Sequence, residues 1–175
     1  NWSSVLELYG RLQSILPEEA AKVDSLLAQG EAAEKLGGWV KARVYYEQAL
    51  AKLPAKDSQK RMWVIGRLQS VFERDPREIK SEFPKLVASE FEQISDLESR
   101  RQLAGLMLYW VREQIKNSQL EREWLLKMGN LNAGDASVQA RLRLADLLNQ
   151  EGNKDQAIQV LQPAVSTDLK ASSEN

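Results

Sequence analysis

The chain has 175 residues, with 24 Lys plus Arg against 25 Asp plus Glu, and it contains neither Cys nor His. That balance supplies no net field for a nucleic-acid backbone or an anionic membrane. The missing residue types remove disulfides, thiolate metal sites, a thiol nucleophile, the usual near-neutral general base and the commonest metal ligand.

Apolar residues recur at helical spacing from Trp2 through Val5, Leu6, Tyr9, Leu12, Ile15 and Leu16, which predicts a first amphipathic helix. Pro17 ends it and suits the first position of a second helix, which runs through Leu26, Leu27 and Ala33 to Leu36. Gly37 and Gly38 close that helix, since glycine tolerates the left-handed cap. A third helix is predicted from Trp39 to Leu53, stopped by Pro54. Asp57 or Ser58 can cap a fourth, which carries Met62, Trp63, Ile65, Leu68, Val71 and Phe72. Asp75-Pro76-Arg77-Glu78 combines a capping residue, a first-turn Pro and an acid, and Pro84 restarts or kinks the helix, which continues to Ile94.

Ser95-Asp96-Leu97-Glu98 and Ser118-Gln119-Leu120-Glu121 are both capping-box patterns. They open a long helix to Lys116 and a shorter one to Met128. Gly129 to Gly134 reads as loop, and Asp135 can cap a helix to Asn149. Gly152-Asn153 separates it from a last helix, Lys154 to Ser166, before a polar end that frays and a tail over 172–175. The pattern is all-α, about nine helices joined by short loops that make consecutive helices antiparallel neighbours. No apolar run approaches the roughly 20 residues that span a bilayer, so no direct membrane insertion by this segment is expected. The chain starts at Asn1 without Met, compatible with excision from a longer chain, and it suits a cytoplasmic or a periplasmic setting alike.

Internal similarity carries the most information. Counted from the turn residue Gly37, small residues stand at −7 (Gly30), +5 (Ala42) and +12 (Ala49), with Tyr46 at +9. Counted from Gly152, the same offsets hold Ala145, Ala157, Ala164 and, at +9, Leu161. Small residues at these places let two helices approach closely, while the large residue fills the space between pairs. A shorter echo links Gly10-Arg-Leu-Gln-Ser14 to Gly66-Arg-Leu-Gln-Ser70.

The pattern resembles the tetratricopeptide repeat, with windows at residues 23–56 and 138–171 that cover about two-fifths of the chain. The first departs from the family at Ala33, where a large aromatic is usual, and the second has Leu169 in place of the closing Pro. Two divergent helix pairs, 57–94 and 95–137, fit between them. The resemblance implies one helical-repeat superhelix over 1–171, whose first helices line a concave, protein-binding face. Groove positions would then be Asp24, Leu27, Glu31, Glu34 and Lys35, and Gln139, Leu142, Arg143, Asp146, Asn149 and Gln150. Family members that grip a terminal carboxylate want Asn where Glu31 and Asp146 stand. The mixed charge points instead to a partner of mixed or basic character.

Trp2, Trp63, Tyr109, Trp110 and Trp124 are candidates for a hot-spot surface. Core packing is the expectation for Trp39, Tyr45, Tyr46 and Trp63, and it competes for Trp110 and Trp124. Arg100, Arg101, Arg112 and Lys116 form a basic stretch, expected to pair with Glu98, Glu113 and Glu121 rather than to hold nucleic acid. No phosphate-binding glycine signature is present, and no enzyme activity, metal or cofactor is expected. The functional expectation is a scaffold for a partner protein or peptide, with self-association as a further option. The alternative is a structural spacer within a larger bacterial envelope assembly, such as an exopolysaccharide secretion system.

Overall fold

Helix follows helix throughout the computed structural model, which describes residues 1–74, 78–132 and 134–173, with side chains for all of these except Glu78 and residues 164–173. No strand occurs among the described residues. The elements are α1 (Trp2–Ile15), α2 (Pro17–Ala20), α3 (Val23–Lys35), α4 (Trp39–Lys52), α5 (Ser58–Phe72), α6 (Glu78–Ser81), α7 (Phe83–Gln93), α8 (Leu97–Trp110), α9 (Ser118–Asn130), α10 (Asp135–Gln150) and α11 (Lys154–Ser173). The fold is all-α, as expected, and the described residues form nine helices of eleven residues or more beside the single turns α2 and α6. The chain divides into two compact units, residues 1–95 and 96–175.

In the first unit α3 and α4 fold back on one another around Gly37, whose φ of 75° ends α3. The Gly38 amide donates to the Ala33 carbonyl at 2.8 Å and the Gly37 amide to Glu34 at 3.0 Å. This crossed pair of bonds satisfies carbonyls that the helix end leaves over. In the second unit α10 and α11 turn at Gly152, φ 85°, with the same crossed pair: Asn153 to Leu148 at 2.8 Å and Gly152 to Asn149 at 3.0 Å. Ala42, Tyr46 and Ala49 are fully enclosed, and Ala145 and Ala157 are buried in the other hairpin. Leu161 is half-buried, whereas the Ala164 side chain lies outside the described ones.

The core of the first unit gathers Leu50, Leu53, Val64, Ile65, Leu68, Phe72, Phe83, Val87 and Phe91. A buried arginine ties three helices through it. Arg61 of α5 donates twice to the Glu90 carboxylate of α7, at 2.8 and 2.7 Å, and also to the Leu50 carbonyl of α4. The second unit buries Leu103, Met107, Trp110, Val111, Trp124, Leu125 and Leu144.

Several boundaries differ from the sequence expectation. The second predicted helix breaks after one turn, because the Gln29 amide reaches back to the Ala20 carbonyl at 3.1 Å and takes over the bond that continuation would supply. The capping residues lie one position from those expected. Asp96, not Ser95, accepts from the Ser99 amide at 2.8 Å, and Asn117, not Ser118, accepts from Leu120 at 3.0 Å. Asp57 stands at the start of α5 without a side-chain cap bond, and Gly134 rather than Asp135 precedes α10. The long central helix ends in a π-helical turn, Val111–Ile115, closed by Lys116 at φ 54°. Gly129 lies inside α9 rather than in a loop, since Arg141 runs across it, and α11 continues to Ser173. The Asp75-Pro76-Arg77 cap falls outside the described residues.

Candidate binding faces

In the first unit α3 turns Asp24, Leu27, Glu31, Glu34 and Lys35 to one side, at the three- and four-residue spacing of a helix face. α5 lies in register with it. Lys60 Nζ stands 3.5 Å from Asp24 Oδ1, and the Arg67 guanidinium is paired with the Glu34 carboxylate. Tyr46 Oη donates to Glu34 Oε2 at 2.9 Å and accepts from Arg67 Nε at 3.3 Å. Burial, with the Glu34 carboxylate adding to it and Arg67 opposing it, pushes the Tyr46 phenol up to about 12. Glu34 is therefore occupied within the fold, while Glu31 is half-buried and Lys35 exposed.

Trp63 departs from expectation. It stands 47% exposed on the same face, between Lys60 and Arg67, with the Arg67 guanidinium 5.8 Å from its ring centre. Tyr46 has taken the interior place and meets Trp63 edge-on, with ring centres 6.3 Å apart. Trp39 and Tyr45, also expected in the core, are half-buried. Trp110 and Trp124 are buried and so contribute no surface, whereas Trp2 and Tyr109 are exposed.

In the second unit α10 presents Gln139, Leu142, Arg143, Asp146, Asn149 and Gln150 as one exposed stripe. Where that stripe meets α8 and α9 there is a hollow of about 270 Å³. Leu108, Leu125, Met128 and Ala140 form its buried floor, and Arg112, Gln139 and Arg143 stand at its rim. Arg112 Nε lies 2.8 Å from Glu121 Oε1, and Arg143 Nε lies 3.6 Å from the same oxygen. Two guanidinium groups thus converge on one carboxylate. Arg101 pairs with Glu98 at 2.7 Å, as expected of the basic stretch. Arg101, followed by the Gln102 amide, holds the Glu98 carboxyl down to about 2. Leu142, Asp146, Asn149 and Gln150 continue the stripe outside the hollow.

A larger groove, about 540 Å³, runs between α9, α10 and α11 over Leu126, Leu144, Leu148 and Val160. Its cations are engaged: Arg122 with Glu151, and Arg141 with Asn132 at 2.7 Å. Among the described residues there is no acidic cluster able to hold a metal ion, and no helix is long and apolar enough to cross a membrane.

The α10 row was named from the family resemblance of the last window, and its residues are exposed. Sequence reasoning missed Lys60 and Arg67 as face residues, although their spacing from Trp63 carried the signal, and it favoured the core for Trp63 over the surface role it also named. The sharing of Glu121 between two arginines had no linear signal, because it depends on where α9 sits. No family model matches the chain, and no curated protein matches its sequence.

Proposed function

We propose that this chain is a non-catalytic interaction module of the tetratricopeptide type, holding a segment of a partner protein against the first helices of its pairs. The family reading is supported by two hairpins with the same crossed turn at Gly37 and Gly152, each with small buried residues at matching offsets. It is supported too by the links between α3 and α5. Those links join residues 36 and 33 positions apart, close to the family period of 34.

The observation that carries the binding reading is the hollow beside α10. It offers an apolar floor with a polar rim, the arrangement in which a buried anchor residue contributes most of an interface's energy. Affinity capture with the full chain tests it, using Arg143→Glu and Asn149→Ala beside the unchanged protein. A partner protein lost with Arg143→Glu supports the face; a partner retained equally by both variants rules it out.

The spacer reading draws on a different feature. α1 leaves Trp2, Leu8 and Ile15 exposed, Leu16 is exposed just after it, and Leu36 and Val40 are exposed at the α3–α4 turn. In stacked arrays such apolar side chains are covered by a neighbouring helix pair. A spacer would bury them within a larger assembly, an envelope secretion machine being one such setting.

A further inference from the structure

The hollow in the second unit is unbalanced in one direction. Glu121 is 12% exposed and serves both guanidinium groups, whereas Arg112 and Arg143 are 41% and 47% exposed. Each guanidinium carries five N–H donors in a fixed fork, and one shared carboxylate oxygen uses few of the ten. The nearest further acids along the chain, Glu113 and Asp146, are exposed and form no ion pair with either arginine. Beneath the two cations lies the apolar floor of Leu108, Leu125 and Met128, and a ligand seated on it would shield an ion pair from solvent.

We propose that this hollow takes a partner segment that sets a side-chain carboxylate beside an aliphatic side chain. The carboxylate bridges Arg112 and Arg143, and the aliphatic group rests on Leu125 and Met128. This rests on the binding reading above and names the chemistry of its ligand. It also reverses the sequence expectation of a basic or mixed partner, since two guanidinium groups share one carboxylate above an apolar floor. A side chain fits better than a chain end. A terminal residue brings main-chain groups that need amide partners, and the rim offers the single amide of Gln139.

The test is selection of a displayed random-peptide library, with each peptide held between two flanking domains so that no chain end is presented. The full chain is the bait. Ala136→Trp, which fills the hollow, Arg112→Gln and Arg143→Gln are the controls, each checked for unchanged helicity. The expected binders carry Asp or Glu within two positions of Leu, Ile or Met, and Ala136→Trp abolishes their binding. Each Arg→Gln change weakens them about tenfold, the loss expected for a charge-assisted hydrogen bond. Binders that need the hollow but lack acids, and that survive both Arg→Gln changes, overturn the acidic-ligand inference and leave the binding reading standing. No binder sensitive to Ala136→Trp overturns both. Enrichment only from a parallel library with free C-termini overturns the side-chain assignment.

Discussion

Tyr46 lies across Gly30 so closely that a methyl group on residue 30 would stand 2.6 Å from the Tyr46 ring. That contact joins α3 to α4 and sets the position of the Glu34–Tyr46–Arg67 network above it. Gly30→Ala gains about 1 kcal/mol of helix propensity, and the forced shift of an enclosed ring costs more, typically about 1–3 kcal/mol. The expected outcome is a lower urea midpoint for Gly30→Ala, with stability regained in Gly30→Ala/Tyr46→Leu relative to Tyr46→Leu alone. A higher midpoint for the single change would show that the two helices are not held by this contact.

The Arg61–Glu90 pair is 3% and 5% exposed and also serves the carbonyl end of α4. Arg61→Met strips the partner from a buried carboxylate, an effect of about 3–5 kcal/mol. Arg61→Met/Glu90→Leu removes both charges and should recover a large part of that loss, although the α4 carbonyls stay without their donor. Chemical denaturation of the three proteins measures the difference.

The pH response has two arms. For Tyr46 the folded phenol sits at about 12 against an ordinary value of 10.0, so the unfolded chain loses its proton first. Its contribution is complete below about pH 10 and is lost as pH rises toward 12. Titration of phenolate absorbance should show a late step near pH 12, and Tyr46→Phe should delete that step. For Glu98 the folded carboxyl is held at about 2 against 4.5, so its contribution is present above about 4.5 and fades as pH falls toward 2. Glu98→Gln should flatten that acid limb and leave the neutral region little changed, since the pair is exposed and screened.

The capping residues give a test of register. Asp96→Ala and Asn117→Ala each remove a side-chain bond to a helix-start amide, and each should cost about 1 kcal/mol. Ser95→Ala and Ser118→Ala should change stability by less than half as much. Thermal melts of the four variants decide it, and the reverse ranking would place the helix starts where the sequence pattern alone puts them.

That register error shows what was legible in the chain. Ser95 and Asp96 are both capping residues, as are Asn117 and Ser118, and linear pattern cannot choose between adjacent candidates. The two outer hairpins were legible because their turns need positive φ and their contacts need small side chains, and both demands leave Gly and Ala at fixed offsets. The α8–α9 turn makes the same left-handed step with Lys116, a residue type that carries no turn signal in sequence. The exposed row on α10 followed from laying the resembled repeat pattern on the last window. Trp63 did not, because aromatic type suggested interior packing while Tyr46, above the gap at Gly30, filled that space. The convergence of Arg112 and Arg143 on Glu121 was out of reach, since it joins three separate helices.

Photo-crosslinking in native extract bears most directly on the role of the first-helix face. A photoreactive residue replaces Gln139 at the rim of the hollow or, as the control, Gln156 on α11 beside the larger groove. A discrete protein adduct at 139, absent at 156 and suppressed by Ala136→Trp, is the expected result. Adducts at 156 alone, or an adduct at 139 that Ala136→Trp leaves unchanged, would contradict it.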